Sequence, residues 1–298
     1  MIVIGSRGSQ LALWQARHIA ACLAELGAET RLEIIKTTGD KIQDVPLAKV
    51  GGKGLFTKEI EEALLAKTID LAVHSMKDVP AELPDGLILS AIPEREDPRD
   101  ALVGTTLADL KNGAKIGTSS LRRSAQLYAL NRGFITETLR GNVDTRLRKL
   151  DEGQYDAIVL AAAGLRRLGW ADRIREMIPV ETMCPAVGQG ALAIETRNDG
   201  GEAQLLVRKL NHPETEAAVS AERAMLATLG GGCQVPIGGH ARVENGKIHL
   251  RALVLSPDGS RIVRGERDGY NSLEIGNALG EELLSKGARE ILKEVYAS

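Results

Sequence analysis

Residues 1–37 read MIVIGSRGSQLALWQARHIAACLAELGAETRLEIIKT, and this stretch decides the predicted fold. Ile2–Ile4 is a short apolar run typical of a buried strand, and Ser9 begins a helical pattern that ends near Gly27. A second strand is predicted over Leu32–Thr37. A strand, a helix and another strand in this order indicate an α/β sheet, in which loops at the strand ends bind ligands.

The same alternation continues along the chain and predicts two lobes. Residues 70–76 and 87–92 are predicted strands of the first lobe, and a glycine-rich loop at 50–54 leads into a helix through residues 56–64. The polar stretch Pro93–Asp100 contains two prolines and is predicted to be a linker. The second lobe repeats the pattern, with predicted strands at 115–117, 135–139 and 157–161 and helices at 120–130 and 143–150.

The last third of the chain follows a different pattern. Residues 191–195 are predicted to return as a strand to the first sheet, which would give two lobes around a central cleft. Beyond Pro213 and a helix, three strands and a final helix over 272–295 predict a small α+β domain with an antiparallel sheet. The strands lie at 238–243, 247–255 and 261–267, separated by the hairpin signals Asn245-Gly246 and Asp258-Gly259.

Composition excludes several classes of protein. The 298 residues include 38 basic and 40 acidic side chains, a net charge of −2 that would not attract nucleic acid or an anionic membrane. Aromatic residues make up only 3%, too few for a surface that stacks bases. The start lacks the features of a secretory signal, and no apolar run approaches the roughly 18 residues needed to span a bilayer. We therefore expect a cytoplasmic protein with reduced thiols.

Arginines recur where predicted strands pass into helices. Helix N-termini favour anions, and guanidinium groups bind carboxylates or phosphates at two points. Each arginine alone is more often a solvated surface residue, but their repeated position predicts a polyanionic ligand. They are Arg7, Arg122, Arg123, Arg140, Arg146, Arg166 and Arg167.

Two further residues are candidates for chemistry. Asp78 follows a buried strand and would be either a catalyst or a turn residue. Cys233 lies in a glycine-rich loop, and by itself it is most simply a cysteine with no chemical role.

The loop from Lys49 to Gly54 resembles a phosphate cradle but lacks the Ser or Thr that a P-loop needs for magnesium. The histidines show no metal-ligand spacing.

Seven segments together resemble the porphobilinogen deaminase (hydroxymethylbilane synthase) family, and the resemblance covers essentially the whole chain. The segments are RGSQLA (7–12), KVGGKGLF (49–56), HSMKDVP (74–80), GTSSLRR (117–123), LRGNV (139–143) with TRL (145–147), PAVGQG (185–190) and GGCQVP (231–236).

The resemblance implies a fold and an activity. It implies three domains, namely 1–94 with a return segment at about 190–210, then 95–189, then 211–298. The first two would be similar to the lobes of a periplasmic binding protein. The activity would be condensation of four porphobilinogen molecules with loss of ammonia, giving linear hydroxymethylbilane. The enzyme would be a monomer that hands its product to uroporphyrinogen-III synthase.

The resemblance also implies roles for individual residues. Asp78 would be the catalytic carboxylate, and Cys233 would carry a dipyrromethane cofactor in thioether linkage; no metal is implied. The other cofactor-binding residues would be Ser75, Lys77, Thr118, Ser120, Arg122, Arg123, Gly141 and Gln189. The substrate-binding residues would be Arg7, Ser9, Lys49, Lys53, Phe56, Arg140, Arg146 and Arg167.

The main alternative is a two-lobed module that only binds an anionic solute. It would explain the arginines and the lobes, but it gives Cys233 and the C-terminal domain no task. A covalent adduct on Cys233 would distinguish the enzyme from the binding module.

Overall fold

The computed structural model describes residues 1–41, 56–231 and 235–297, and the chain divides into two units. The first unit contains residues 1–96 and 191–216, and the second contains residues 97–190 and 217–298. The predicted glycine-rich loop at 50–54 lies outside the described residues. The same is true of three predicted site residues, Lys49, Lys53 and Cys233.

The first unit is built on a five-stranded sheet with the order β2-β1-β3-β10-β4. β1 is parallel to β2 and β3, whereas β10 is antiparallel to β3 and β4. The return of the chain to the first sheet is therefore confirmed. The strands are β1 (Ile2–Ser6), β2 (Thr30–Ile34), β3 (Leu71–Ser75), β4 (Leu87–Ala91) and β10 (Leu192–Arg197).

Four helices and two 3₁₀ turns lie between or after the strands along the described part of this unit. They are α1 (Gln10–Glu25), α2 (Thr38–Lys41), α3 (Lys58–Leu65) and α7 (Glu202–Val207), with a 3₁₀ turn over Met76–Asp78 and another over Arg208–Leu210.

Helix α1 shows how the sequence produces this packing. The Ser9 hydroxyl accepts a hydrogen bond from the Ala12 N–H at 3.3 Å, which caps the helix as predicted. Ile19 and Leu23 lie one turn apart on the same face and are fully buried against the sheet. Burial of each such side chain contributes about 1.5–3 kcal/mol.

The second unit contains a sheet of the same pattern, with the order β7-β6-β8-β5-β9. β6 is parallel to β7 and β8, and β5 is antiparallel to β8 and β9. The strands are β5 (Asp100–Val103), β6 (Lys115–Gly117), β7 (Ile135–Glu137), β8 (Ala157–Ala161) and β9 (Ile174–Met177). The helices are α4 (Leu121–Ala129), α5 (Val143–Asp151) and α6 (Ala162–Arg167), with a 3₁₀ turn over Ala171–Arg173.

The C-terminal part of the second unit forms the predicted three-stranded antiparallel sheet, β11-β12-β13. Asn245 and Gly246 both have positive φ, as the tight hairpin turn between β11 and β12 requires. Together with the two larger sheets, this sheet confirms the predicted fold class. The elements are β11 (Ile237–Glu244), β12 (Lys247–Leu255), β13 (Ile262–Gly269), α8 (Pro213–Thr228), α9 (Ser272–Leu283) and α10 (Arg289–Ala297).

Several predicted boundaries are wrong. The linker predicted over Pro93–Asp100 ends inside strand β5, and both β5 and β9 are strands that the sequence analysis missed. β2 begins and ends earlier than Leu32–Thr37. The predicted final helix is interrupted at Gly287, where a φ of 107° breaks the helical backbone and produces a kink between α9 and α10.

The proposed division into three domains stays a prediction. In the structure, residues 211–216 group with the first unit, and the three-stranded sheet groups with the second lobe. Among the described residues, no helix has both the length and the apolar character needed to cross a membrane.

Candidate active site

Five of the predicted site residues line one cavity in the first unit, with a volume of about 70 Å³. Parallel strands β1 and β3 end at the same edge of the sheet. The segments that follow them supply three of the five residues, and a fourth, Ser75, is the last residue of β3. The five residues are Arg7, Ser9, Phe56, Ser75 and Asp78.

Asp78 is the exposed carboxylate of this cavity. It is the last residue of the 3₁₀ turn that follows β3, and the Val79 N–H donates to the Met76 carbonyl oxygen at 3.1 Å to close the turn. The Met76 N–H also donates to the Ala191 carbonyl oxygen at 3.0 Å. Two backbone bonds thus fix the turn, and Asp78 makes no hydrogen bond or ion pair with another residue in the described part of the chain.

Arg7 is half-buried and contacts an aromatic ring. Its guanidinium carbon lies 4.1 Å from the centre of the Phe56 ring, within the range of a cation–π interaction. The ring therefore holds the cation in place in the wall of the cavity.

The cavity also contains polar residues that were not predicted to bind anything. Gln15 is buried, and its Nε2 donates to the Ser75 hydroxyl at 2.8 Å. Thr57 is buried in the same wall. A polar residue on the apolar face of a predicted helix was the one signal that could have revealed Gln15.

A buried acid–base pair lies in the sheet beside this cavity. His74 Nε2 lies 2.9 Å from Glu195 Oε2, and both side chains are buried. Glu61 on α3 is also buried, and desolvation, with repulsion from Glu195 as a smaller cause, raises its pKa above the ordinary value. The pair joins β3, which ends at Ser75, to the returning strand β10.

In the second unit, the predicted anion-binding residues follow three parallel strands. Thr118 to Arg123 follow β6, Arg140 to Arg146 follow β7, and Arg167 ends the helix after β8. Because β6 is parallel to both neighbours, these segments leave the same edge of the sheet.

Backbone contacts fix the conformation of this edge. Arg146 Nε donates to the Gly141 carbonyl oxygen at 2.8 Å, and Arg167 Nη2 donates to the Gly190 carbonyl oxygen at 2.6 Å. Gly141 has a φ of 108°, and a Cβ there would lie 2.8 Å from Thr145 Cγ2, so only glycine fits.

Arg122 and Arg123 are more deeply buried than the sequence analysis expected, with relative exposures of 4% and 7%. Both pair with Asp100, which the sequence analysis assigned to a linker and which is fully buried. The two guanidinium charges hold the pKa of Asp100 well below its ordinary value although burial opposes this. Gln189, a predicted cofactor residue, also donates to Asp100, at 2.9 Å.

The remaining predicted residues are placed as follows. Ser120 precedes α4, and the Thr118 hydroxyl accepts from the Ser120 N–H at 3.2 Å. Lys77, in the turn with Asp78, and Arg140 are both half-buried. Among the described residues, no group of three His, Cys, Asp or Glu side chains is placed to hold a metal ion.

Comparisons with known proteins agree with the family that the sequence motifs resemble. A family model described as the dipyromethane cofactor binding domain of porphobilinogen deaminase matches residues 2–205, and one described as its C-terminal domain matches residues 217–285. A porphobilinogen deaminase from Syntrophobacter fumaroxidans is 54% identical over 303 aligned residues, which cover 99% of this chain and 98% of that protein.

Two solved structures of binding proteins are more distant. A periplasmic substrate-binding protein of an ABC transporter from Coxiella burnetii is 12% identical, with 75% of this chain and 97% of that chain covered and a TM-score of 0.43. A substrate-binding domain of a putative amino acid ABC transporter from Streptococcus pneumoniae is 13% identical, with 77% and 95% covered and a TM-score of 0.42. The two family models and the 54% identical relative assign the chain: it belongs to the porphobilinogen deaminase family.

Proposed function

We propose that the chain joins four porphobilinogen molecules head to tail with Asp78 as its catalytic carboxylate. The observation that carries this proposal is the position of Asp78, exposed in a fixed turn and lining the same cavity as Arg7. Each pyrrole brings two carboxylates, and a guanidinium beside the catalytic group can bind one of them at two points. This cavity therefore offers both a site for the substrate's charge and a group for its chemistry.

The chemistry requires a fixed negative charge. When porphobilinogen, with its aminomethyl group protonated, loses ammonia, it leaves an azafulvenium cation whose ring N–H is acidic. The Asp78 carboxylate would accept a hydrogen bond from that N–H and stabilise the positive charge as it develops. The backbone bonds that fix the turn keep this carboxylate in place, so little reorganisation accompanies the step.

The donors of the second unit fit the dipyrromethane that the family uses. Arg122 Nε is buried without a partner among the described residues, and it needs an acceptor such as a carboxylate. Thr118 and Ser120 stand at the N-terminus of α4, where unpaired backbone N–H groups favour anions. When bound, the dipyrromethane supplies the pyrrole carbon to which the first substrate molecule is joined.

Two of the three cysteines are poor candidates for covalent attachment. Cys184 is fully buried, and burial raises its pKa to about 12. Burial also raises the pKa of Cys22, which lies within helix α1. Since the thiolate is the nucleophile, both thiols would react slowly, and this supports Cys233 as the residue that forms the thioether.

The proposal extends to the setting of the enzyme. The chain would act as a cytoplasmic monomer and pass its product to uroporphyrinogen-III synthase. The product would be a linear tetrapyrrole with a reactive hydroxymethyl end, so an enzyme that closes such chains is the expected partner.

The proposed role of Asp78 is tested by two substitutions. Asp78→Asn keeps the shape and an acceptor oxygen but removes the charge, so single-turnover ammonia release should fall by about two to four orders of magnitude. Asp78→Glu keeps the charge and should retain more activity than Asp78→Asn. A thermal melt of each variant checks that the fold is intact.

The control is Asp85→Asn, which removes another exposed carboxylate close by in the chain and should release ammonia at the wild-type rate. If Asp78 were only a turn residue, Asp78→Asn would release ammonia faster than Asp78→Glu, because Asn is well accepted in turns. Near-normal release by folded Asp78→Asn protein would remove Asp78 from the mechanism.

A further inference from the structure

Asp100 is the centre of a buried hydrogen-bond cluster in the second unit. Its Oδ1 accepts from Arg123 Nε at 3.0 Å, from Arg123 Nη2 at 2.7 Å and from Gln189 Nε2 at 2.9 Å. Its Oδ2 accepts from Arg122 Nη1 at 2.7 Å. One carboxylate therefore connects two adjacent arginines of helix α4 with the loop that contains Gln189.

Backbone carbonyl groups complete the cluster on both sides. Arg122 Nη1 also donates to the Cys184 carbonyl oxygen at 2.6 Å, and Arg123 Nη1 donates to the Val159 carbonyl oxygen at 3.0 Å. Gln189 Nε2 also donates to the Pro98 carbonyl oxygen at 2.7 Å, which fixes the chain just before Asp100. Both guanidinium groups are thus oriented by the protein before any ligand binds.

One edge of Arg122 is left without an acceptor. Its Nη1 is engaged by Asp100 and Cys184, but Nε is buried with no partner in the described parts of the chain, and Nη2 has none there either. Nε and Nη2 together form the edge with which a guanidinium binds a carboxylate at two points. A buried donor without an acceptor is costly, so this edge points to a ligand.

The charges of the cluster favour one ligand carboxylate. Two guanidinium groups and one carboxylate leave a single net positive charge in a buried place. A buried charge without a counterion is unfavourable, and one carboxylate would neutralise it. Without Asp100, the two adjacent guanidinium groups would repel each other and lose the acceptor that orients them.

We infer that Asp100 is a positioning residue for cofactor attachment, since it holds Arg122 and Arg123 so that the free edge of Arg122 can bind a carboxylate of the dipyrromethane. This inference rests on the proposed function. It gives Asp100 a task that does not involve contact with the cofactor or the substrate.

The test compares two substitutions at Asp100. The order of their rates of adduct formation depends on whether Asp100 only fills space or positions the arginines by its charge. Asp100→Asn keeps the shape but loses the charge, whereas Asp100→Glu keeps the charge but must fit an extra methylene into a filled site. If Asp100 only fills space, Asn is the better replacement. If its charge positions the arginines, Glu is the better one, and both are poorer than the wild type.

The measurement is the rate at which apoprotein acquires the covalent adduct. Each protein is produced in cells that make no porphobilinogen, checked for folding by a thermal melt, and incubated with porphobilinogen below its melting temperature. Intact mass against time should show adduct formation at least about tenfold slower for Asp100→Asn than for wild type, with Asp100→Glu between them. Asp156→Asn is the control, because Asp156 is an exposed carboxylate in the same unit whose only donor among the described residues is the Lys115 N–H, at 2.7 Å.

The outcomes separate the inference from the proposed function. If wild-type apoprotein gains no mass, the proposed function fails. If wild type gains the adduct and either Asp100 variant matches its rate, or Asn outperforms Glu, the positioning role is wrong. Should Asp100→Asn not fold, a wild-type rate in Asp100→Glu alone overturns the inference.

Discussion

The two five-stranded sheets have the same topology but different buried charges. In each, the second strand in the order is parallel to both of its neighbours, and the fourth strand is antiparallel to both of its neighbours. That antiparallel strand is β10 in the first unit and β5 in the second, and each contributes a fully buried carboxylate, Glu195 or Asp100.

The partners of these carboxylates differ in their chemistry. Glu195 lies beside a single imidazole, that of His74, whereas Asp100 pairs with the guanidinium groups of two arginines. In the first unit, the cation that lines the cavity, Arg7, instead packs on the Phe56 ring.

Under the proposed function, this difference corresponds to two different tasks for one topology. In the second unit, a buried carboxylate orients two arginines, which suits the permanent binding of an anionic group. The first unit keeps an exposed carboxylate, Asp78, on a fixed turn beside Arg7, which suits repeated turnover of a small substrate.

The largest effect on folding is expected from Arg123→Leu, since it removes the partner of a buried carboxylate. Loss of the two Arg123 bonds to Asp100 should lower the free energy of unfolding by about 3–5 kcal/mol. Arg7→Leu loses a cation–π contact at a half-exposed position, and should cost only about 0.5–1 kcal/mol. Urea unfolding of both variants measures the contrast.

Both variants are best compared in a Cys233→Ser background, so that a bound cofactor stabilises neither protein. Equal losses of unfolding free energy in the two variants would show that the arginines of the two units are not held differently.

A smaller, pH-dependent effect is expected at Glu61. Burial raises its pKa, so the folded protein binds a proton that the unfolded chain releases, and stability is lost as pH rises from the ordinary value of 4.5 through the raised pKa. Glu61→Gln removes this loss. Its melting temperature should exceed that of wild type by up to about 2–4 °C above the raised pKa.

The gain should disappear at pH values below 4.5, where wild-type Glu61 is protonated in both states. Glu62→Gln, on the exposed side of the same helix, is the control. A melting-temperature difference that is the same at every pH, or larger in acid, would contradict the assignment of this burial cost to Glu61.

Much of the fold could be predicted because its signals are local. The Asn245-Gly246 turn allows only a tight hairpin, and Ser9 caps the first helix with its own side chain. Even the return of β10 was visible, because Ala191–Glu195 is an apolar run beyond the second lobe.

The features that could not be predicted depend on contacts between residues far apart in the chain. Asp100 follows two prolines and several charges, so its local sequence is that of a linker, yet arginines 22 and 23 residues away bury it. The same contacts explain why Arg122 and Arg123, predicted at a helix N-terminus, are nearly inaccessible in the structure. Gln15 and the His74–Glu195 pair likewise depend on packing between elements that no local pattern shows.

The most direct test of the account is the location of the covalent adduct. The purified wild-type protein should carry a dipyrromethane adduct by intact mass, and proteolysis should find it on the peptide that contains Cys233, while Cys22→Ser protein keeps it. An unmodified chain, or an adduct on the peptide of Cys22 or Cys184, would contradict the proposal that the chain is primed by a cofactor anchored at Cys233.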